Sequence, residues 1–179
     1  MKSTGIVRKI DRLGRVVIPK EIRKTLRIHV GDPLEIFTDR DGQIIFKKYS
    51  PIAELSSLVN EYCEVLRDAL GCCIVICDKD MILAVSGVPH QEYVENYTSK
   101  KLAYHITKGQ QLKLTGADMI EVIEREDMSR YLAQVVHPIM VDHDAIGAIV
   151  ALNPTRDFLE SDFQVLKAIV RLMEKHMDY

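Results

Sequence analysis

The chain has 179 residues, a net charge of −2, 47% apolar side chains and 28% charged ones, a composition that suits a packed globular protein and excludes a disordered one. Its longest apolar run, Ala145 to Leu152, is broken by Gly147 and falls short of the ~18 residues of a membrane span. Lys2, Arg8 and Lys9 are followed by no apolar segment, which argues against a signal peptide and for a cytoplasmic location.

The near-neutral total hides a split. The first fifty residues hold twelve Lys and Arg against six Asp and Glu, a local charge of +6, and the remainder carries −8. Such a split points to a polyanion-binding head on an acidic body. Within the head, Ile6 to Ile10 alternates apolar and basic residues, as a half-buried strand does. Asp11-Arg12-Leu13-Gly14 reads as a turn and Arg15 to Ile18 as the returning strand. Pro19 ends that strand and suits the first turn of a helix running to about Leu26. Ile22 and Leu26 would share an apolar edge; Lys20, Arg23, Lys24 and Arg27 would share a basic one. Gly31-Asp32-Pro33 breaks the chain before a strand at Leu34 to Thr38. Asp41-Gly42 then turns it into a strand at Gln43 to Lys48.

Four short strands and a turn of helix enclose little core, and a domain near fifty residues is marginal without disulfide, metal or partner. Two copies burying their apolar faces together is the physical expectation. A charged cluster can be a solvated face, and a recurrence of arginine on both hairpin and helix can be a surface for DNA phosphate; charge alone leaves both readings open.

The residues narrow the choice. The opening Met1 to Ile10, the run Leu13-Gly-Arg-Val-Val-Ile-Pro19, Glu21 to Leu26, Gly31 to Ile36 and Lys47 to Pro51 together resemble the AbrB-type transition-state regulators over roughly residues 1–51. The resemblance implies a β-rich swapped-hairpin barrel formed by two chains. It implies DNA contact through the positions matching Arg8, Arg15, Arg23 and Lys24. Lys9 and Arg12 are added on charge alone.

Ser50-Pro51 reads as the boundary to a second domain, residues 52–179. Ile52, Leu55, Val59, Tyr62, Leu66 and Ala69 are spaced as a helical seam, as are Leu159, Phe163, Leu166, Val170, Met173 and Met177. Val165, Ile169 and Leu172 form a second stripe on the terminal helix. These seams favour a helical bundle between subunits, with core packing in one chain as the alternative. Between them, Cys72–Cys77 and Met81–Ser86 read as one hairpin, and Leu132–Val141 and Ala145–Leu152 as another. Tyr93–Gly109 reads as containing helical stretches that end at Gly109, and Met119–Ile123 as a further strand. The element order is α+β. With Pro138-Ile139 and Ile146-Gly147-Ala148-Ile149 it resembles a GAF domain, which implies a small-molecule effector pocket on one sheet face.

The cysteines, Cys63, Cys72, Cys73 and Cys77, lack zinc spacing and read as small core hydrophobes. The six histidines are scattered: His29, His90, His105, His137, His143 and His176. No HExxH, GxSxG or P-loop pattern appears, so neither an enzyme nor a metal or cofactor site is expected. An AbrB-type head on a GAF-like body resembles transcription regulators of spore-forming bacteria. That implies double-stranded DNA as partner and a homotetramer joined through the C-terminal helices. Related heads also occur in antitoxins, which makes a toxin–antitoxin interaction module the alternative.

Overall fold

The computed structural model describes residues 4–177 and divides between Tyr49 and Ser50 into two compact units. In the first, helix α1 spans Lys20–Thr25 and strands β1, Leu34–Thr38, and β2, Ile44–Lys48, form an antiparallel hairpin. The turn between them closes on Gly42, whose φ of +77° lies in the left-handed region that glycine occupies without strain. Lys48 Nζ meets Asp32 Oδ2 at 2.8 Å and donates to the Arg27 carbonyl at 3.1 Å. That tie fixes the end of β2 to the segment leading into β1.

Residues 4–10 and 15–18 run without a ladder between them. The turn is bonded by Asp11 N–H to the Arg15 carbonyl and Gly14 N–H to the Asp11 carbonyl, both at 3.0 Å. The predicted first hairpin is therefore a bonded turn with two unzipped arms. The physical reason is the missing core. Among the described residues of this unit only Pro19 is buried. Val30 is 93% exposed, Val7 86%, Ile36 61% and Phe46 43%. Among the described residues, the apolar side chains of the arms and of the β1–β2 hairpin are left largely exposed within this unit.

The second unit is the opposite case. After a one-turn helix α2 (Pro51–Glu54) comes α3 (Ser56–Leu70). A five-stranded antiparallel sheet follows, built from β3 (Cys73–Asp78), β4 (Ile82–Ser86), β5 (Leu112–Thr115), β6 (Ala133–Val141) and β7 (Asp144–Asn153). Its order is β4-β3-β7-β6-β5. The helices α4 (His90–Tyr93) and α5 (Lys100–Thr107) intervene between β4 and β5, and α6 (Glu160–Met177) closes the unit. Both sheet faces are buried. Ile74, Ile76, Val135, Ile149 and Ala151 pack against α2, α3 and α6. Val75, Cys77, Val136, Ala148 and Val150 pack against α4, α5 and the long β5–β6 connection. Double burial explains why β3 and β7 read as nearly continuous apolar runs.

Three expectations need correction. The predicted strand at Met119–Ile123 is irregular, and the strand in that region is β5. Side chains have replaced the ladder: Gln134 bonds both the N–H and the carbonyl of Ile120, at 2.7 and 2.8 Å. Second, the first seam faces its own sheet. Val59, Tyr62 and Leu66 are buried there, Leu70 takes the place expected of Ala69, and the helix is interrupted at Leu55. Third, Arg27 lies beyond the end of α1 with φ +52°, off the basic edge assigned to it. The cysteines behave as small core residues: Cys63, Cys72 and Cys77 are buried, and burial pushes the Cys63 and Cys72 thiols up to about 12.

Gly147 sits where β7 passes β3 and α2. A Cβ there would lie 2.2 Å from the Cys77 carbonyl oxygen and 2.4 Å from Ile52 Cδ1, so the close approach of these elements requires glycine.

The two ends of the outer helices are clasped by Arg156. It donates to both oxygens of Asp162, at 2.6 and 3.2 Å, and to the Leu70 carbonyl that ends α3, at 3.3 Å. The guanidinium first, and then the Leu159 N–H, hold the Asp162 carboxyl below its ordinary value of 3.8 against the opposing effect of burial. A carboxyl lowered on folding stabilises the chain above its unfolded value; that contribution is lost as pH falls through the folded value. Asp162→Asn is expected to lower the denaturant midpoint at pH 7 and to flatten the loss of stability below pH ~4. An acid limb unchanged in the variant would assign that limb to other groups.

Candidate nucleic-acid interface

The six basic residues named from sequence lie along one continuous stretch of the head. Arg8 and Lys9 are exposed on the arm before the turn, Arg12 is exposed within it, and Arg15 is exposed just after it. Arg23 and Lys24 follow on α1, Arg23 half-buried and Lys24 exposed.

The turn is built by Asp11. Its Oδ1 accepts the N–H groups of Leu13 and Arg15, both at 2.9 Å, in the manner of an Asx turn. Its Oδ2 accepts Nε–H of Arg15 at 2.8 Å. The Arg15 N–H, then its guanidinium, hold the Asp11 carboxyl below the usual aspartate range. Gly14, at φ +75°, lets the chain fold back onto this carboxylate. Arg23 is tethered in a similar way: its Nε–H donates across Pro19 to the Ile18 carbonyl at 3.2 Å. The sequence marks Asp11 as a turn former; its hold on the Arg15 side chain was missed. An Asp four residues before an Arg across a Gly-containing turn is the signal that could have found it.

The body carries a separate feature. On the face covered by α5 and the β5–β6 connection lies a cleft of about 640 Å³, lined by Lys101, Met119, Glu121, Met128 and Tyr131 with Glu126 in its wall. That volume falls within the ~300–1,000 Å³ range of small-molecule sites. Glu126 is a buried carboxylate that braces the connection. One oxygen accepts the Val122 N–H at 2.9 Å, and the other accepts from the Tyr93 hydroxyl and from Arg130 Nη2. Burial, then Glu126 and Tyr131, push the Tyr93 hydroxyl far above its usual range and keep it a donor.

A basic head with unburied apolar arms and an α+β body with a doubly covered antiparallel sheet define a two-domain DNA-binding transcription regulator, AbrB-type at the head and GAF-like in the body. The family model described as "Stage V sporulation protein T C-terminal, transcription factor" matches residues 54–178, and one described as "Antidote-toxin recognition MazE, bacterial antitoxin" matches residues 7–54. The chain is 42% identical over 180 residues to stage V sporulation protein T of Bacillus subtilis, covering 99% of both. It belongs to the stage V sporulation protein T family. Over 51 residues it is 67% identical to the transition state regulatory protein AbrB of the same organism, 28% of this chain and 52% of that one. The body has the fold of the GAF domain of an Acinetobacter phosphoenolpyruvate-protein phosphotransferase, with a TM-score of 0.58 at 16% identity over 73% of this chain and 84% of that one. Among the described residues no helix is long and apolar enough to cross a membrane.

Proposed function

We propose that this chain regulates sporulation genes by binding double-stranded DNA through paired heads, with Arg8, Arg15, Arg23 and Lys24 as principal contacts and Lys9 and Arg12 as supporting ones. The observation that carries the reading is the head itself. It spends its arginines on the surface and buries almost none of its apolar residues within one copy. A second copy supplies the missing cover and doubles the basic surface. Phosphate contact by such a surface draws its energy from counterion release and so depends steeply on salt. The −8 body contributes repulsion from DNA, so affinity resides in the heads. A cytoplasmic, nucleoid-bound location follows from the partner, and the reading assigns the chain no catalytic step. The antitoxin reading is favoured by the match at residues 7–54 alone. The folded sheet and helices after Ser50 speak against a disordered toxin-binding tail.

The bodies join the paired heads into a tetramer in this reading. α6 leaves Leu172 42% exposed, and Val65 of α3 is 54% exposed, after the inner faces of both helices are used on the sheet. Val165 and Ile169 of the second stripe pack partly on the core, and Leu172 is the member left available to a partner helix. The cleft beside α5 is the place for an effector.

Affinity for a duplex selected by the chain from a random library is expected to fall about 10³–10⁵-fold between 50 and 200 mM salt, for six to ten phosphate contacts. Arg15→Ala with Arg23→Ala should weaken it further; a flat salt response or unchanged affinity in the double variant rules the reading out. In sedimentation, Leu172→Glu should convert tetramers to dimers without loss of fold; a persistent tetramer removes α6 from the interface. For the effector, a library of charged and amphipathic metabolites should contain compounds that raise the melting temperature of the whole chain, with the gain abolished by Met128→Trp in the cleft. Stabilisation that survives Met128→Trp places the binding elsewhere.

A further inference from the structure

Two arginines assigned to DNA are held by the same atom. Arg15 spends its Nε–H on Asp11 Oδ2 and Arg23 spends its own on the Ile18 carbonyl. Among the described residues no hydrogen bond involves Nη1 or Nη2 of either. A guanidinium tethered at Nε loses much of its freedom and presents its two terminal nitrogens end-on. That end matches a pair of adjacent acceptors: two phosphate oxygens, or O6 and N7 of guanine. The Arg23 tether is a main-chain carbonyl. The Arg15 tether is a side chain, so it can be removed.

We propose that Asp11 is the positioning residue of this interface: one carboxylate oxygen shapes the turn, and the other aims the Arg15 guanidinium end-on at DNA. The proposal rests on the DNA contact assigned above to Arg15. Its strength is a conflict that a purely structural or electrostatic role would resolve differently. A carboxylate beside a phosphate-binding surface opposes binding by its charge. The pair is exposed, Arg15 71% and Asp11 43%, and exposed ion pairs contribute little to stability. Orientation is what the carboxylate supplies in return, since a freely rotating Arg side chain must be immobilised on binding. The same carboxylate bonds the main chain on both sides of the turn tip, so the position of the guanidinium is locked to the backbone that carries it.

The distinguishing variant is Asp11→Asn. Asparagine keeps an Oδ1 that accepts the Leu13 and Arg15 N–H groups, so the turn survives. In place of Oδ2 it has an amide donor, which cannot accept from Nε. The whole chain, wild type and the variants Asp11→Asn, Arg15→Ala and the double variant, is titrated with the library-selected duplex and with a scrambled duplex at several salt concentrations, and each melting temperature is recorded. Asp11→Asn is expected to weaken the selected duplex roughly ten-fold at unchanged melting temperature, and to add no loss on top of Arg15→Ala. A loss confined to the selected duplex identifies a base edge as the acceptor. A loss on both duplexes, with the salt slope shallower by about one, identifies phosphate. Wild-type binding by Asp11→Asn, a lowered melting temperature with equal loss on both duplexes, or a loss that persists beside Arg15→Ala overturns the proposal. Wild-type binding by Arg15→Ala overturns the assigned DNA contact, and that outcome is separate from anything Asp11→Asn does.

Discussion

The inability of the head to bury its own apolar residues is the constraint from which the rest of the molecule follows. An ordered residue costs roughly 1–2 kcal/mol of backbone entropy, and burial of apolar surface is the main term that offsets it. Val7 and Val30 return almost none of that while they stand in water, and Ile10, Val17 and Ile36 return only a part. What does hold the single copy is local: the Asp11 turn, the Gly42 turn, the Asp32–Lys48 tie and the β1–β2 ladder. These fix shapes of a few residues each. They present the arginines in order along the chain and leave the covering of the arms to another surface.

The body solves the same problem by itself and in a different way. Its sheet is covered on both faces, and its irregular β5–β6 connection is pinned by side chains that bond backbone: Gln134 on Ile120 and Glu126 on Val122. Each pin leaves a buried polar group satisfied without a ladder, which is the condition for placing non-repetitive chain against a sheet. The same connection packs Met119, Ile120 and Val122 on the sheet and lines the cleft beside α5.

How much of this was legible in the sequence depended on whether the deciding contact was local. The β1–β2 hairpin and the two large hairpins of the body stand where alternation and Asp-Gly or Asp-rich turns put them. Met119–Ile123 misled because an apolar run carries no record of what bonds its backbone; the partner amide at Gln134 is remote in sequence. β5, with only Leu112 and Leu114 to mark it, was too short to stand out. The first helical seam was visible as a spacing, yet a spacing of three and four suits a sheet and a partner helix equally, and the structure uses it on the sheet. In the head, charge and resemblance name the six basic residues proposed as DNA contacts, and the structure places them along one stretch of chain. The tether at Nε was not legible, since it depends on the turn bringing residue 11 back to residue 15.

The unburied arms also have a consequence for how the regulator is supplied in the cell. A protein whose head gains its core only from another copy folds and associates in one step, so the amount of competent head rises more steeply than the amount of chain synthesised. At low concentration the chain keeps its apolar arms exposed, and surfaces of that kind are what chaperones and proteases act on. Pairing of heads therefore makes occupied DNA rise more steeply than chain concentration, by up to about its square, without any ligand taking part.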